Sequence, residues 1–336
     1  MKSYNRLFRA ICVISTLFIF FACSADREPE VQKGRFAFNK GNANVPEFDA
    51  QSAYRYIETQ VSFGTREPNS IGHRQTREFL IETLRGYAGT NAVFSQDFQF
   101  VGYDGEVLNL SNIIAAFNLN ARDRILLAAH WDTRPRADEE SDPNRQNEPI
   151  IGANDGGSGV GVLLELARIF SENMPPIGVD IIFFDGEDYG KPSDLDNYFL
   201  GARAWSANPP VPGYSPRFGI LLDMVGAQGA TFPKEGFSRR YAPALVNNVW
   251  DVARELGYDH IFIDRNGAPV ADDHWIVNII ANIPMIDIIH YDSPDGQSVQ
   301  FPEFWHTHND NMDIISTETL QAVGDVLVEI IYNRLN

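Results

Sequence analysis

Val179-Asp180-Ile181-Ile182-Phe183-Phe184-Asp185-Gly186-Glu187-Asp188 is the stretch on which the fold turns. Its apolar run, Ile181 to Phe184, is unbroken and ends abruptly in acids around a glycine. A half-exposed strand would alternate; a continuous run is what a sheet covered on both faces requires. Ile125-Leu126-Leu127-Ala128-Ala129 has the same form and runs into His130-Trp131-Asp132. Phe218–Leu222 runs into Asp223, and Met285–Ile289 leads through a loop toward His306. Four strands thus deliver His, Asp and Glu at or beyond their ends. Ligands bind at the carboxyl ends of strands in open α/β sheets, so this is a candidate metal and acid–base site.

Outward from these strands the pattern alternates. Spacing predicts helices over Asp49–Val61, Ile71–Leu84, Gly159–Phe170, Pro243–Leu256 and Thr317–Arg334. Further strands are expected at Ala92–Phe100 and Leu108–Phe117. There is no internal repeat and no second composition regime. The expected fold is α/β, a three-layer αβα sandwich with a mixed, mostly parallel central sheet.

The 336 residues, 44% of them hydrophobic and 12% aromatic, suffice for a large core and exclude disorder for the bulk of the chain. A formal charge of −18 argues against nucleic acid as a partner, because binding it needs a basic surface. Lys2, Arg6 and Arg9 precede an apolar run from Ala10 to Ala22 that is too short to span a bilayer. Cys23 follows, so residues 1–22 read as a lipoprotein-type signal and Cys23 as a lipidated first residue. Residues 23–46 then read as a tether and residues 47–336 as the catalytic domain. The protein is expected to be exported, anchored by lipid to a bacterial membrane, and monomeric. Cys12 and Cys23 are the only cysteines, so the domain has neither a disulfide nor a thiolate for metal.

Without thiolates, a zinc ion would take nitrogen and oxygen ligands, commonly three protein groups and an open position. Asp155 in Asn154-Asp155-Gly156-Gly157-Ser158-Gly159, Asp188 and His306 meet that count. Asp155 also reads as an N-cap of the following helix, and His308 is a second candidate beside His306. His130 and Asp223 would make a second metal site or support the first. Glu187 and Asp188 would repel each other as neighbours unless a metal takes one and a proton the other. Trp131 and Trp205 read as pocket or core, Arg134 as a residue of the pocket mouth, and His73, His260 and His290 as surface or packing.

Together, His130-x-Asp132, Asn154–Gly159, Phe184–Asp188, Leu221–Ala227 and Trp305-His306-Thr307 resemble the zinc aminopeptidases of family M28 and the related glutaminyl cyclases. The resemblance spans roughly residues 50 to 336. In the peptidases the pattern implies two zinc ions bridged by Asp155, with His130 and Asp223 on one and Asp188 and His306 on the other. Phe301–Thr307 and Ala271-Asp272-Asp273-His274 are similar to animal-type glutaminyl cyclases. That branch implies one zinc on Asp155, Asp188 and His306, acting on peptides with N-terminal glutamine. Glu187 would be the general base, Asp223 and Asp272 a hydrogen-bonded catalytic pair, and Phe301 and Trp305 pocket walls. The chain departs from animal cyclases at Asp188, where they carry glutamate, and lacks their pocket tryptophan after the paired acids. Either Tyr189 or another aromatic is expected to close the pocket in its place, or the pocket is wider. The alternative is a dinuclear M28 aminopeptidase.

Overall fold

In the computed structural model, which describes residues 35–335, the alternating reading resolves into three layers. Two capped helices come first: α1 (Ala50–Ser62), whose N-cap Asp49 accepts from the amides of Gln51 and Ser52, and α2 (Ile71–Ala88), capped by Ser70. A hairpin follows, β1 (Val93–Val101) and β2 (Val107–Phe117), then β3 (Arg124–His130), α3 (Gly157–Glu172) and β4 (Gly178–Phe184). The second half carries α4 (Leu200–Ala207), β5 (Gly219–Asp223), β6 (Phe232–Lys234), α5 (Gly236–Tyr241), α6 (Pro243–Glu255) and β7 (Phe262–Asn266). It ends with α7 (Asp273–Ile276), β8 (Met285–Ile289) and α8 (Thr317–Glu329).

Six strands form the central sheet in the order β1-β2-β4-β3-β5-β8. The β1–β2 and β2–β4 pairings are antiparallel, whereas β4–β3, β3–β5 and β5–β8 are parallel. Parity along the central strands explains their unbroken apolarity. Val179, Ile181 and Phe183 of β4 and Ile125, Leu127 and Ala129 of β3 join the core that includes α1, α2, α3, α6 and α8. Ile182, Phe184, Leu126 and Ala128 pack the opposite face with Ala202 and Trp205 of α4 and Ile276 of α7. Fully burying one such side chain contributes roughly 1.5–3 kcal/mol, so both faces hold the sheet between helices. On α3, a Cβ at Gly161 would lie 2.7 Å from the Ile57 side chain and 2.8 Å from the Ala53 carbonyl. The glycine therefore sets how closely α1 approaches.

Several expectations need correction. Residues 35–46, read as tether, lie against the domain. Phe36 is buried, the Phe36 and Phe38 rings stand 6.3 and 6.2 Å from that of Phe218, and the amides of Asn39 and Gly41 donate to Arg334 and Asn333. Two aromatics on an otherwise aperiodic stretch are enough to dock it. The final helix ends at Glu329 and widens into a π turn over Ile330–Arg334. Helices α4, α5 and α7 and the two-stranded β6–β7 sheet are too short for periodicity to reveal. The signal, Cys23 and the first part of the tether lie outside the described residues. Among those described, no helix is long and apolar enough to cross a membrane.

Candidate active site

Two triads meet at one carboxylate. Ligand-capable atoms of Asp155, Asp188 and His306 lie within 4.8 Å of one another, as do those of His130, Asp155 and Asp223. His306 Nε2 stands 3.5 Å from Asp188 Oδ1 and 3.8 Å from Asp155 Oδ2. On the other side, His130 Nε2 lies 3.0 Å from Asp155 Oδ1 and 3.2 Å from Asp223 Oδ1. Zinc bonds of about 2.0–2.1 Å put tetrahedral ligand atoms about 3.3 Å apart. Both triads therefore lie within roughly 0.5 Å of that ligand spacing.

The loops holding these groups are built by long-range contacts. Asp310 accepts from the amides of Asn154 (2.7 Å) and Asp155 (2.9 Å). Buried Arg66 donates to the carbonyls of Trp131, Ile151 and Gly152 at 3.0, 2.9 and 2.7 Å. Helix α3 takes Gly156, at φ +84°, as its cap with no side-chain bond, so Asp155 does not serve as its N-cap. A Cβ at Gly156 would sit 2.3 Å from the Asp132 carbonyl, which only glycine permits. Asp132 itself accepts from the amides of Glu187 (3.0 Å) and Asp188 (3.2 Å), and its Oδ1 faces His130 Nδ1 at 3.5 Å. One carboxylate thus orients a histidine and both acids after β4.

Arg134 is not a mouth residue. It is buried, donating to Asp188 Oδ1 at 2.7 Å and to Asp138 at 2.7 and 2.6 Å, and Asp138 Oδ1 in turn faces His306 Nδ1 at 3.4 Å. The chain turns inward after Thr133, so the guanidinium supports the triad from behind. Tyr189 is misassigned too. It leaves the cavity, packs with Leu108, Leu110 and Leu200, and stacks on Tyr103 at 4.6 Å. Tyr198, nine residues on, lines the cavity instead. His308 pairs with Glu140 at 2.9 Å outside both triads. Trp131 and Trp205 are core residues, and His73 packs internally, stacked on Trp131 and bonded to Asp185 at 2.9 Å.

Glu187, Asp223, Asp272, Phe301 and Trp305 all line one cavity of ≈ 310 Å³ beside the His306 triad. Phe301 stacks on Trp305 at 4.2 Å, and Trp305 on His306 at 3.5 Å. Asp223 bonds to His130 and Asp272 accepts from the Asp273 amide, so the two acids do not form the expected hydrogen-bonded pair. Phe199 (φ 59°), Met224 (φ 51°) and His306 (φ 54°) are left-handed non-glycine residues, and all three line the cavity. Such conformations cost on the order of 1–3 kcal/mol each and persist where the surroundings over-determine them.

Electrostatics mark the same place. Burial pushes Asp188 up to about 6 and Asp223 up to about 7, and holds Glu187 well above the usual carboxylate range. Burial alone would lower His130, but bonds to Asp132, Asp155 and Asp223 outweigh it and hold the imidazole well above its ordinary value. Asp188 Oδ2 is buried without a hydrogen-bond partner. A thiolate-free set of one imidazole and two carboxylates, with one orphaned oxygen, fits zinc. Without metal, these raised values mean the folded chain binds more protons than the unfolded one. That stability is present below about pH 4 for the acids and below about 6.5 for His130, and is lost as pH rises through the folded values. Chelator-treated protein is therefore expected to melt roughly 5 °C lower at pH 8 than at pH 5.5, while the zinc-loaded protein changes less. Parallel calorimetric traces of the two forms that show equal slopes against pH would overturn this.

Residues 112–331 match the model of peptidase family M28. The chain belongs to peptidase family M28. This M28 chain is 46% identical to Bacteroides thetaiotaomicron glutaminyl cyclase, solved with N-acetylhistamine bound, at a TM-score of 0.82 covering 86% of this chain and 99% of that one. A Zn-dependent exopeptidase from Parabacteroides distasonis is equally similar, 46% identical with a TM-score of 0.82, covering 87% and 100%. The glutaminyl-peptide cyclotransferase of Gloydius blomhoffii is 26% identical over 308 residues, 81% of this chain and 78% of that protein. The M28 chain has the expected three-layer fold and is a zinc-dependent enzyme.

Proposed function

We propose that the protein is a glutaminyl-peptide cyclotransferase, converting N-terminal glutamine of peptides to pyroglutamate with release of ammonia. The observation that carries this reading is the small aromatic cavity beside the His306 triad. On its wall Phe301 stacks on Trp305 at 4.2 Å, and Trp305 on His306 at 3.5 Å, which suits a short side chain held beside the metal ligands. One zinc on Asp155, Asp188 and His306 agrees with it, with His130 and Asp223 as supporting groups. The similarity to glutaminyl cyclases supports the same activity.

Bound there, zinc would supply Lewis-acid polarisation of the substrate's side-chain amide. Glu187 takes a proton from the α-amine as its nitrogen attacks the amide carbon. The new C–N bond closes a five-membered ring. Glu187 then returns the proton to the departing nitrogen, the old C–N bond breaks, and ammonia leaves. A buried carboxylate with a raised pKa is a stronger base than an exposed one, which suits this shuttle. Asp223 and Asp272, on the cavity wall, accept hydrogen bonds from the amine and the leaving ammonia. Phe301 and Trp305 clamp the glutamine methylenes and exclude water. Because the nucleophile is tethered to its target, orientation supplies much of the acceleration.

The protein works as a lipid-anchored monomer outside the bacterial cytoplasm, with residues 1–22 removed and Cys23 acylated. An intact mass of membrane-extracted protein that starts elsewhere or lacks acyl chains would dismiss the anchor. For the activity, zinc-loaded protein is incubated with a Gln-initiated dipeptide and the products are weighed. Loss of ammonia with an intact peptide bond and one zinc per chain is expected. Free amino acids with two zinc ions per chain would establish the aminopeptidase instead.

A further inference from the structure

The cavity lies at one end of the sheet, and the chain enters the domain at the other. β3, β4, β5 and β8 run parallel, with His130, Glu187, Asp188 and Asp223 at or just beyond their carboxyl ends. The first described residues are fastened at the amino ends of the same strands. Arg35 donates to the carbonyls of Pro216, at 2.6 Å, and Arg217, and the Phe36 and Phe38 rings meet Phe218 just before β5.

That end also carries an apolar surface. The segments leading into β3, β4, β5 and β8 hold Leu119, Met174, Val211 and the neighbours Ile279 and Ile280, each between 38% and 66% exposed. Side-chain bonds tie three of these turns into one face. Asn118 Nδ2 donates to the Pro175 carbonyl at 2.9 Å, and Arg217 donates to Asp123 at 3.0 Å. The chain has 45 acids, yet residues 118–123, 173–177, 208–218 and 277–284 contain only Asp123, and Arg217 pairs with it. A face that is apolar, exposed and almost free of acids suits a lipid surface, anionic leaflets included.

The length of chain beyond this face limits which way the domain can stand. From Cys23 to Arg35 it spans at most roughly 40 Å even fully extended. A domain of this size has a radius of gyration of about 19 Å, so the way round its surface from one end to the other is roughly 75 Å. A tether fixed at Arg35 therefore cannot turn the cavity mouth onto the membrane that holds Cys23. We infer that the mature protein rests on its own bilayer through Leu119, Met174, Val211, Ile279 and Ile280, with the cavity facing the aqueous phase. The inference rests on the anchored reading of Cys23. Substrate then reaches the site from solution, not along the membrane.

With residues 1–22 removed and the Cys23 thiol lipidated, the mature chain has no free thiol, so single introduced cysteines can carry a polarity-sensitive dye. Leu119→Cys and Met174→Cys place it on the proposed contact, and Val101→Cys, exposed at the end of β1 near the cavity, is the control. Each acylated variant is reconstituted in vesicles of phosphatidylethanolamine and phosphatidylglycerol that contain a lipid spin-labelled near its headgroup. The spin label should quench the Leu119 and Met174 dyes about twofold or more, and the Val101 dye by less than about a tenth. Quenching that is equal at all three positions, strongest at Val101 or absent throughout, in protein whose intact mass shows the lipid, would overturn the orientation and leave the anchor standing. A mass without acyl chains would remove the anchor and the orientation together. A blue shift at Leu119 and Met174 that grows with protein concentration and ignores the quencher would assign the face to a second copy of the chain, and would overturn the bilayer contact.

Discussion

Glu187→Gln is expected to lower kcat by about 10³-fold or more while leaving zinc content and melting temperature intact. Proton transfer by a positioned carboxyl contributes typically about 10²–10⁴-fold, and here one group both removes and returns the proton. The substitution is nearly isosteric. The backbone amide of Glu187 keeps its bond to Asp132, and its side chain meets the triads only at His130 Nδ1, 3.9 Å away. Replacing a carboxylate that burial destabilises with a neutral amide costs no stability and can add some. Steady-state turnover, metal analysis and a melting curve on the same preparation check all three parts. A variant with full turnover would remove Glu187 from the role of base.

Asp188→Ala should be costlier to the fold than any other change at the site. Besides a metal ligand it removes one anion from buried Arg134, which keeps Asp138 and the Tyr198 hydroxyl but loses its 2.7 Å partner. Breaking a buried ion pair from one side costs about 3–5 kcal/mol, because the remaining charge stays out of water. Asp138 compensates in part, so a loss near about 3 kcal/mol is expected, with zinc falling below stoichiometric binding. Asp188→Asn separates the two effects: an amide oxygen still accepts from Arg134, so stability recovers while zinc affinity does not. Equal unfolding free energies for the alanine variant and the parent would show that Arg134 does not depend on Asp188.

Most of the sheet was legible because β3, β4, β5 and β8 are apolar runs that stop at polar residues. That signal lies within each segment and survives without knowledge of the neighbours. Glu187, Asp188, His130 and Asp223 were legible for the same reason, since they sit at strand ends or within four residues of them, whereas Asp155 and His306 lie in loops and were legible only through the motifs around them. What escaped depends on contacts between distant segments. Asp310 holds the Asp155 loop from 155 residues away, and nothing local distinguishes it from a solvated acid. Tyr189 and Tyr198 exchange places because a turn at Gly186 (φ 70°) and the following loop decide which ring faces inward. Arg134 looked like a mouth residue because a loop arginine is usually solvated; only its bonds to Asp188, Asp138 and Tyr198 reveal otherwise.

The Arg134 fork has a kinetic meaning. It grips Asp188 directly and reaches His306 through Asp138, so two of the three ligands are braced by protein rather than by the ion. Asp155, held through its amide by Asp310, is braced independently. Stripping the ion therefore leaves a preorganised socket, not a loosened loop. Reloading becomes a matter of encounter and dehydration of the incoming cation, with no refolding step to slow it.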